Sequence, residues 1–178
     1  MDDEQQLHTE QKRMGAFMLT IMWILFLIIL MFFFDGFLKK QHNPNQVTNA
    51  YTDSDDFKEV RLQRNRDGHY LSSGTINNTT VIFLLDTGAT NVVIPVHIAE
   101  KIGLKTGQKT HSVTANGTVS TYATRLDRIS IGTIEICEVG ASINPNTHED
   151  VILLGMTFLK HLDFTQRGNT LTLRQYVE

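Results

Sequence analysis

One carboxylate stands where chemistry is easiest to place. In Val81-Ile82-Phe83-Leu84-Leu85-Asp86-Thr87-Gly88-Ala89-Thr90 an apolar run climbs to an aspartate and stops on Thr-Gly-Ala. Apolar residues in unbroken succession read as a strand buried on both faces. A carboxylate at the end of such a strand is costly unless it is paired or used. Gly88 lets the backbone turn sharply and brings a main-chain N–H near the carboxylate. The pattern points to a catalytic Asp86 held at the end of a rigid strand, suited to acid–base work.

Other chemistries find no matching pattern. The seven histidines (His8, His42, His69, His97, His111, His148 and His161) form no H-E-x-x-H or other tight ligand spacing, so no metal set is expected. Neither a glycine-rich phosphate loop nor a G-x-S-x-G elbow occurs. The single cysteine, Cys137, excludes an internal disulfide. Within Ile134-Glu135-Ile136-Cys137 it reads as a small buried apolar residue. A net charge of −3 without a long basic run argues against a nucleic-acid-binding face.

The elements that must position Asp86 are mostly strands. Glu59 to Gln63 alternates as a strand, and Asp67-Gly68 signals a hairpin turn returning through His69 to Gly74. Asn77-Asn78 is a second turn pair, able to take left-handed conformations. Thr80 to Leu85 delivers Asp86, and Val92 to Pro95 is a further short strand. Pro95 sits where a helix can begin, so Val96 to Ile102 is expected as a short helix ended by Gly103. His97 on it reads as a surface residue. His111 to Tyr122 reads as two strands around Asn116-Gly117. Leu126 to Ile131 and Ile134 to Ala141 form another pair, followed by a loop over 144–150. Val151-Ile152-Leu153-Leu154-Gly155 is a second buried apolar strand that stops on glycine. Met156 to Leu162 suits a short helix, and Asp163 to Thr165 with Thr170 to Leu173 closes the domain as a hairpin. Strands separated by turns every ten residues or so predict a small all-β barrel or sandwich. Val93, Ile94 and Val113 are either cleft lining or core.

The N-terminal part differs in kind. Residues 1–14 form a polar tail. Residues 15–34 carry no charge over 20 positions, enough for a transmembrane helix. The run is too long for a signal peptide and lacks a small-x-small cleavage site. Lys12 and Arg13 on one side and Lys39 and Lys40 on the other leave orientation undecided by charge. Residues 35–56 are polar and aperiodic, with Pro44 as a breaker, and read as a flexible linker. The folded domain is then expected over 57–178.

Asp86-Thr87-Gly88-Ala89, the hairpin that follows it and Ile152-Leu153-Leu154-Gly155 together resemble a retropepsin-type aspartic protease, over about Glu59 to Leu173. The first tetrad is similar to that family's active-site triplet and following alanine. Thr114-Ala115-Asn116-Gly117 falls where the family has its flap, although the tip lacks the multi-glycine run of the viral enzymes. Ile152 to Gly155 looks like the hydrophobic-hydrophobic-glycine motif that packs beneath the active-site loop. Gly68-His69-Tyr70 and Leu154-Gly155-Met156-Thr157-Phe158-Leu159 resemble a bacterial, membrane-anchored branch. The fold this implies is all-β: a single-lobe retropepsin-like acid protease barrel with one or two short helices, preceded by one transmembrane helix.

The resemblance also implies a mechanism. One lobe supplies one aspartate, so a homodimer with an Asp86 from each chain is implied. The two carboxylates would share a proton and activate a water against a peptide bond, with no cofactor and greatest activity at mildly acidic pH. Thr87 would lock the paired loops across the dimer, and the Gly88 N–H would orient Asp86. The implied location is the bacterial inner membrane, with the protease domain on the periplasmic side. The implied partners are a second copy, a protein or peptide substrate and the membrane. The rival reading is a non-catalytic, membrane-anchored β-domain that binds a protein partner.

Overall fold

The computed structural model describes residues 2–46, 50–54, 56–114 and 117–177. They fall into two compact units, Met1–Lys39 and Lys40–Glu178. The first consists of most of helix α1 (Asp2–His42). Its stretch Phe17–His42, 26 residues, is long and apolar enough to cross a membrane, and its side chains are exposed. The helix runs past both ends of the uncharged run at 15–34.

The second unit is built from strands β1 (Ala50–Ser54), β2 (Phe57–Gln63), β3 (Tyr70–Ile76), β4 (Thr79–Leu85) and β5 (Val92–Pro95), then helix α2 (Val96–Ile102). Strands β6 (Lys109–Thr114), β7 (Gly117–Ile131), β8 (Ile134–Asn144) and β9 (Ile152–Leu154) follow, then helix α3 (Met156–Leu159), β10 (Asp163–Arg167) and β11 (Thr170–Tyr176). Four strands form an antiparallel sheet in the order β1-β2-β11-β10. The other seven run β3-β4-β9-β5-β8-β7-β6, and a β3–β7 pairing at Thr75↔Ser130 and Ile76↔Ile129 closes the ring. The result is a retropepsin-like all-β barrel. Closure leaves no edge along the ring itself. It is also tight. A Cβ on Gly74 would lie 2.7 Å from the Phe83 ring and would strike the Ser130 carbonyl.

Turn chemistry follows the sequence. Asn77 and Asn78 take φ of 46° and 68° between β3 and β4, the double left-handed turn that suits a two-residue hairpin. Gly103 ends α2 at φ 79° and donates back to Glu100 O at 3.1 Å. The core centres on Phe83, Ile94, Leu126, Ile129, Ile152, Leu154 and Phe158, all fully buried. Ile94 is therefore core, while Val93 is half-buried beside Leu153.

Three expectations change. First, Cys137 is exposed. Strand alternation sets it with Glu135, opposite the buried Ile134 and Ile136, and this outweighs the general tendency of cysteine to be buried. Second, the expected break between 122 and 126 is absent, and β7 runs unbroken for 15 residues against β8 and β6. Third, β2 and β3 do not pair as a hairpin. The turn forms, with Asn65 N donating to His69 O at 2.8 Å, but the strands then separate into different sheets.

Residues 43–45 fill that separation. Asn43 and Asn45, expected in a flexible linker, are 3% and 5% exposed. Asn45 Nδ2 donates to Gln63 O at 2.8 Å and to Leu71 O at 2.7 Å, and its Oδ1 accepts from Gln63 N at 2.8 Å. Its carbonyl accepts from Ser73 N at 3.3 Å. One asparagine thus supplies the bonds that β2 and β3 would otherwise give each other. Unsatisfied, those buried groups would cost about 1–3 kcal/mol each. A boundary drawn at Phe57 removes this residue from the unit it completes.

Candidate active site

β9 lies between β4 and β5, parallel to the first and antiparallel to the second. Leu85 is paired with Leu154, so β4 and β9 reach the same end of the barrel together. There β4 delivers Asp86 and β9 delivers Gly155. The turn over 86–91 is fastened to β9 and α3 by the backbone. Asp86 N donates to Leu154 O at 3.2 Å, Met156 N to Ala89 O at 2.8 Å and Thr157 N to Thr90 O at 3.0 Å. Thr157 Oγ1 accepts from Val92 N at 3.0 Å.

Gly155 is needed here for space rather than for its dihedrals. Its φ of −95° and ψ of −167° suit any residue. A Cβ at that point would lie 2.6 Å from Ala89 O and would strike Asn91 O as well. The absence of a side chain lets the turn sit directly on β9. Ile152 and Leu154, both fully buried, anchor β9 in the core, and Leu153 is half-buried.

The Asp86 side chain is half-buried, and its Oδ1 accepts from Gly88 N at 2.8 Å. Ala89 N donates to Asp86 O at 3.2 Å, which tightens the turn. Among the described residues, no ion pair involves Asp86. Thr87 and Gly88 are exposed. The arrangement is a carboxylate oriented by a backbone N–H on a rigid, solvent-facing turn, able to hold or release a proton.

The positions expected as a flap fall at the end of the β6–β7 hairpin. Thr114 is paired with Gly117, which takes φ 111° and is exposed. Ala115 and Asn116 lie outside the described residues. The described residues contain no group of three or more His, Cys, Asp or Glu side chains able to hold a metal ion. His97 is an exposed partner of Asp150 at 3.0 Å.

Thr157 had not been singled out as a supporting residue, although its hydroxyl and backbone N–H both brace the turn. Its only sequence signal is its place two residues after Gly155. The burial of Asn43, Asn45 and Asn65 has no local signal, since neither the polar Asn-Pro-Asn segment nor the charged Arg64-Asn65-Arg66 turn announces it.

The fold and this site define a class. Residues 72–161, just over half of the chain, match the family described as gag-polyprotein putative aspartyl protease, and the chain belongs to that retropepsin-like family. It is 37% identical over 135 residues to an uncharacterized protein from the cobV 5′ region of a Sinorhizobium species, covering 74% of this chain and 58% of that one. It is 26% identical over 154 residues to an uncharacterized protein of Rickettsia prowazekii (strain Madrid E), covering 83% and 66%. The chain thus spans under two thirds of the length of either curated relative. A crystal structure of a retropepsin-like aspartic protease from Rickettsia conorii superposes with a TM-score of 0.59 at 26% identity, over 72% of this chain and 99% of that one.

Proposed function

We propose that this protein is an aspartic endopeptidase that works as a homodimer, with the two Asp86 carboxylates facing each other across a two-fold axis. The observation that carries the reading is the seating of the Asp86 turn on Gly155, with the Gly88 N–H on the carboxylate and the turn's outer face exposed. The chain has a single Asp-Thr-Gly. A second copy is the simplest source of the second carboxylate.

Two carboxylates brought together cannot both ionise easily, so the pair holds one proton between them at mildly acidic pH. The charged member takes a proton from a water as the water attacks the scissile carbonyl carbon. The protonated member donates to the carbonyl oxygen. The first carboxyl passes the water's proton to the amide nitrogen, the C–N bond breaks as the diol collapses, the other carboxylate regains its proton, and no covalent acyl-enzyme forms. Thr87, exposed beside Asp86, bonds across the dimer and locks the two turns. The β6–β7 hairpin closes over an extended peptide bound as an added strand.

The apolar stretch of α1 anchors the protein in the bacterial inner membrane, with the barrel on the periplasmic side. Support comes from its length and exposed apolar surface and from the bacterial relatives. The full chain in detergent micelles is expected to cleave members of a peptide library at mildly acidic pH, and Asp86→Asn to lower the rate roughly a thousand-fold. Equal cleavage by both proteins would sink the assignment to Asp86, and no cleavage by either would favour the non-catalytic, partner-binding domain.

A further inference from the structure

The segment that follows α1 bears on the site through one loop. Asn65, 8% exposed, organises the turn between β2 and β3. Its Oδ1 accepts from Asp67 N at 3.0 Å and from His69 N at 2.8 Å. Its own N–H donates to His69 O at 2.8 Å, and its carbonyl accepts from Gly68 N at 3.2 Å. Its Nδ2 donates to the carbonyl of His42 at 3.1 Å. Just beyond, Asn45 N donates to Asn43 Oδ1 at 3.0 Å, and Asn43 Nδ2 donates to Ser73 Oγ at 3.3 Å. His42 to Asn45 and the 65–69 turn are therefore one hydrogen-bonded body, with Asn45 wedged between β2 and β3.

That body leads directly into β3, which runs beside the strand that delivers Asp86. The β3–β4 register pairs Tyr70 with Leu85. Continued by one residue, it sets His69 against Asp86. Alternation gives the same face. Tyr70 packs in the core, whereas His69 is exposed and Asp86 half-buried.

We propose that Asn65 is a positioning residue for His69, that His69 contacts bound peptide beside Asp86, and that His42–Asn45 holds this loop in place. The segment after the membrane helix is then part of the protease's substrate site rather than a leash. The imidazole offers a hydrogen-bond donor to a carbonyl of the extended substrate. The buried Asn65 fixes its backbone on both sides, accepting from His69 N and donating its own N–H to His69 O, so the contact carries little ordering cost when substrate arrives. This inference rests on the proposed peptidase activity.

The test uses the full chain in micelles and an Asp86-dependent peptide cleavage assay. Asn65→Ala and His69→Ala are each expected to raise KM by about ten-fold, the loss of one positioned hydrogen bond, with kcat changed much less. Because both act through one contact, the double variant should be no worse than the worse single variant. A purely structural Asn65 would lower thermal stability and leave the KM of the folded fraction unchanged, and that result overturns the proposal. Additive effects of the two substitutions overturn it too. If Asn65→Ala does not fold, Asn65→Asp keeps the acceptor for Asp67 and His69, and replaces the donor to His42 with a charged oxygen that repels its carbonyl. A raised KM there supports the role of His42–Asn45, and an unchanged KM overturns it. Cleavage that depends on Asp86 but not on Asn65 sinks this inference alone. Cleavage that ignores Asp86 sinks it together with the peptidase reading.

Discussion

Two carboxylates in the barrel unit have opposite surroundings. Glu59, on β2, has 1% of its surface exposed and lies between two guanidinium groups. Arg174 Nη2 donates to its Oε2 at 2.6 Å and Arg61 Nε to its Oε1 at 2.8 Å. The Arg174 bond, helped by Arg61 and opposed by burial, holds its carboxyl below the ordinary glutamate value. Asp86 has a single backbone N–H and no ion pair among the described residues. A nearby arginine favours the charged form of a carboxylate and would oppose a shared proton. The molecule places two cations on its structural acid and, among the described residues, none on its candidate catalytic acid.

This contrast is sharpened most by substitutions at the catalytic end. Beyond Asp86→Asn, Gly155→Ala is expected to have the next largest effect. The new methyl displaces the carbonyls of Ala89 and Asn91 and moves the turn that carries Asp86. A shift of that kind costs on the order of a hundred-fold in kcat/KM. Stability should fall by about 1–3 kcal/mol from overpacking. Peptide cleavage rates set beside thermal melts check both, and a near-normal rate would mean the turn tolerates movement.

At the structural acid the sign reverses: stability changes and activity per folded molecule does not. Glu59→Gln leaves two arginines whose side chains are 50% and 38% exposed, so water can rehydrate them. The loss is expected below the usual range for a broken buried pair, at about 1–3 kcal/mol. Its pH dependence follows from the lowered pKa of Glu59. The stabilisation is fully present above the ordinary glutamate value of about 4.3 and is lost as pH falls through the lowered folded value. Wild-type and Glu59→Gln melting temperatures should therefore converge only below that ordinary value. The proposed mildly acidic working range lies above it, where the fold keeps this pair intact. Convergence near neutral pH would contradict the assignment.

The smallest expected effect is at Tyr70. Its buried hydroxyl finds no hydrogen-bond partner among the described residues. Tyr70→Phe should be neutral or stabilise by up to about 1 kcal/mol, measured by denaturant titration. A clear destabilisation would reveal a partner for the phenol.

Much of this was legible in the sequence where local chemistry decides the outcome. The apolar run to Asp86, the left-handed Asn77-Asn78 turn and the Gly103 helix stop all rest on near neighbours. So does the Ile152 to Gly155 strand as an apolar run that stops on glycine, whereas its seat beneath the Asp86 turn depends on distant partners at Ala89 and Asn91. What was not legible depends on distant partners. Asn43 and Asn45 read as linker because polar residues are buried only when remote groups satisfy them, and those groups lie on Gln63, Leu71 and Ser73. Asp67-Gly68 made its turn, but no local signal says that β2 and β3 part into different sheets. Cys137 was misplaced although the alternation of its own strand already set it outward with Glu135.

The central claim is that Asp86 is half of a site completed by a second copy. Mixing subunits tests it most directly. Wild-type and Asp86→Asn chains are combined in equal amounts in one micelle preparation, allowed to exchange partners, and assayed at fixed total protein. If both aspartates are required, random pairing leaves about one quarter of the wild-type activity. If each chain acts alone, about one half remains, and the shared-site account is wrong.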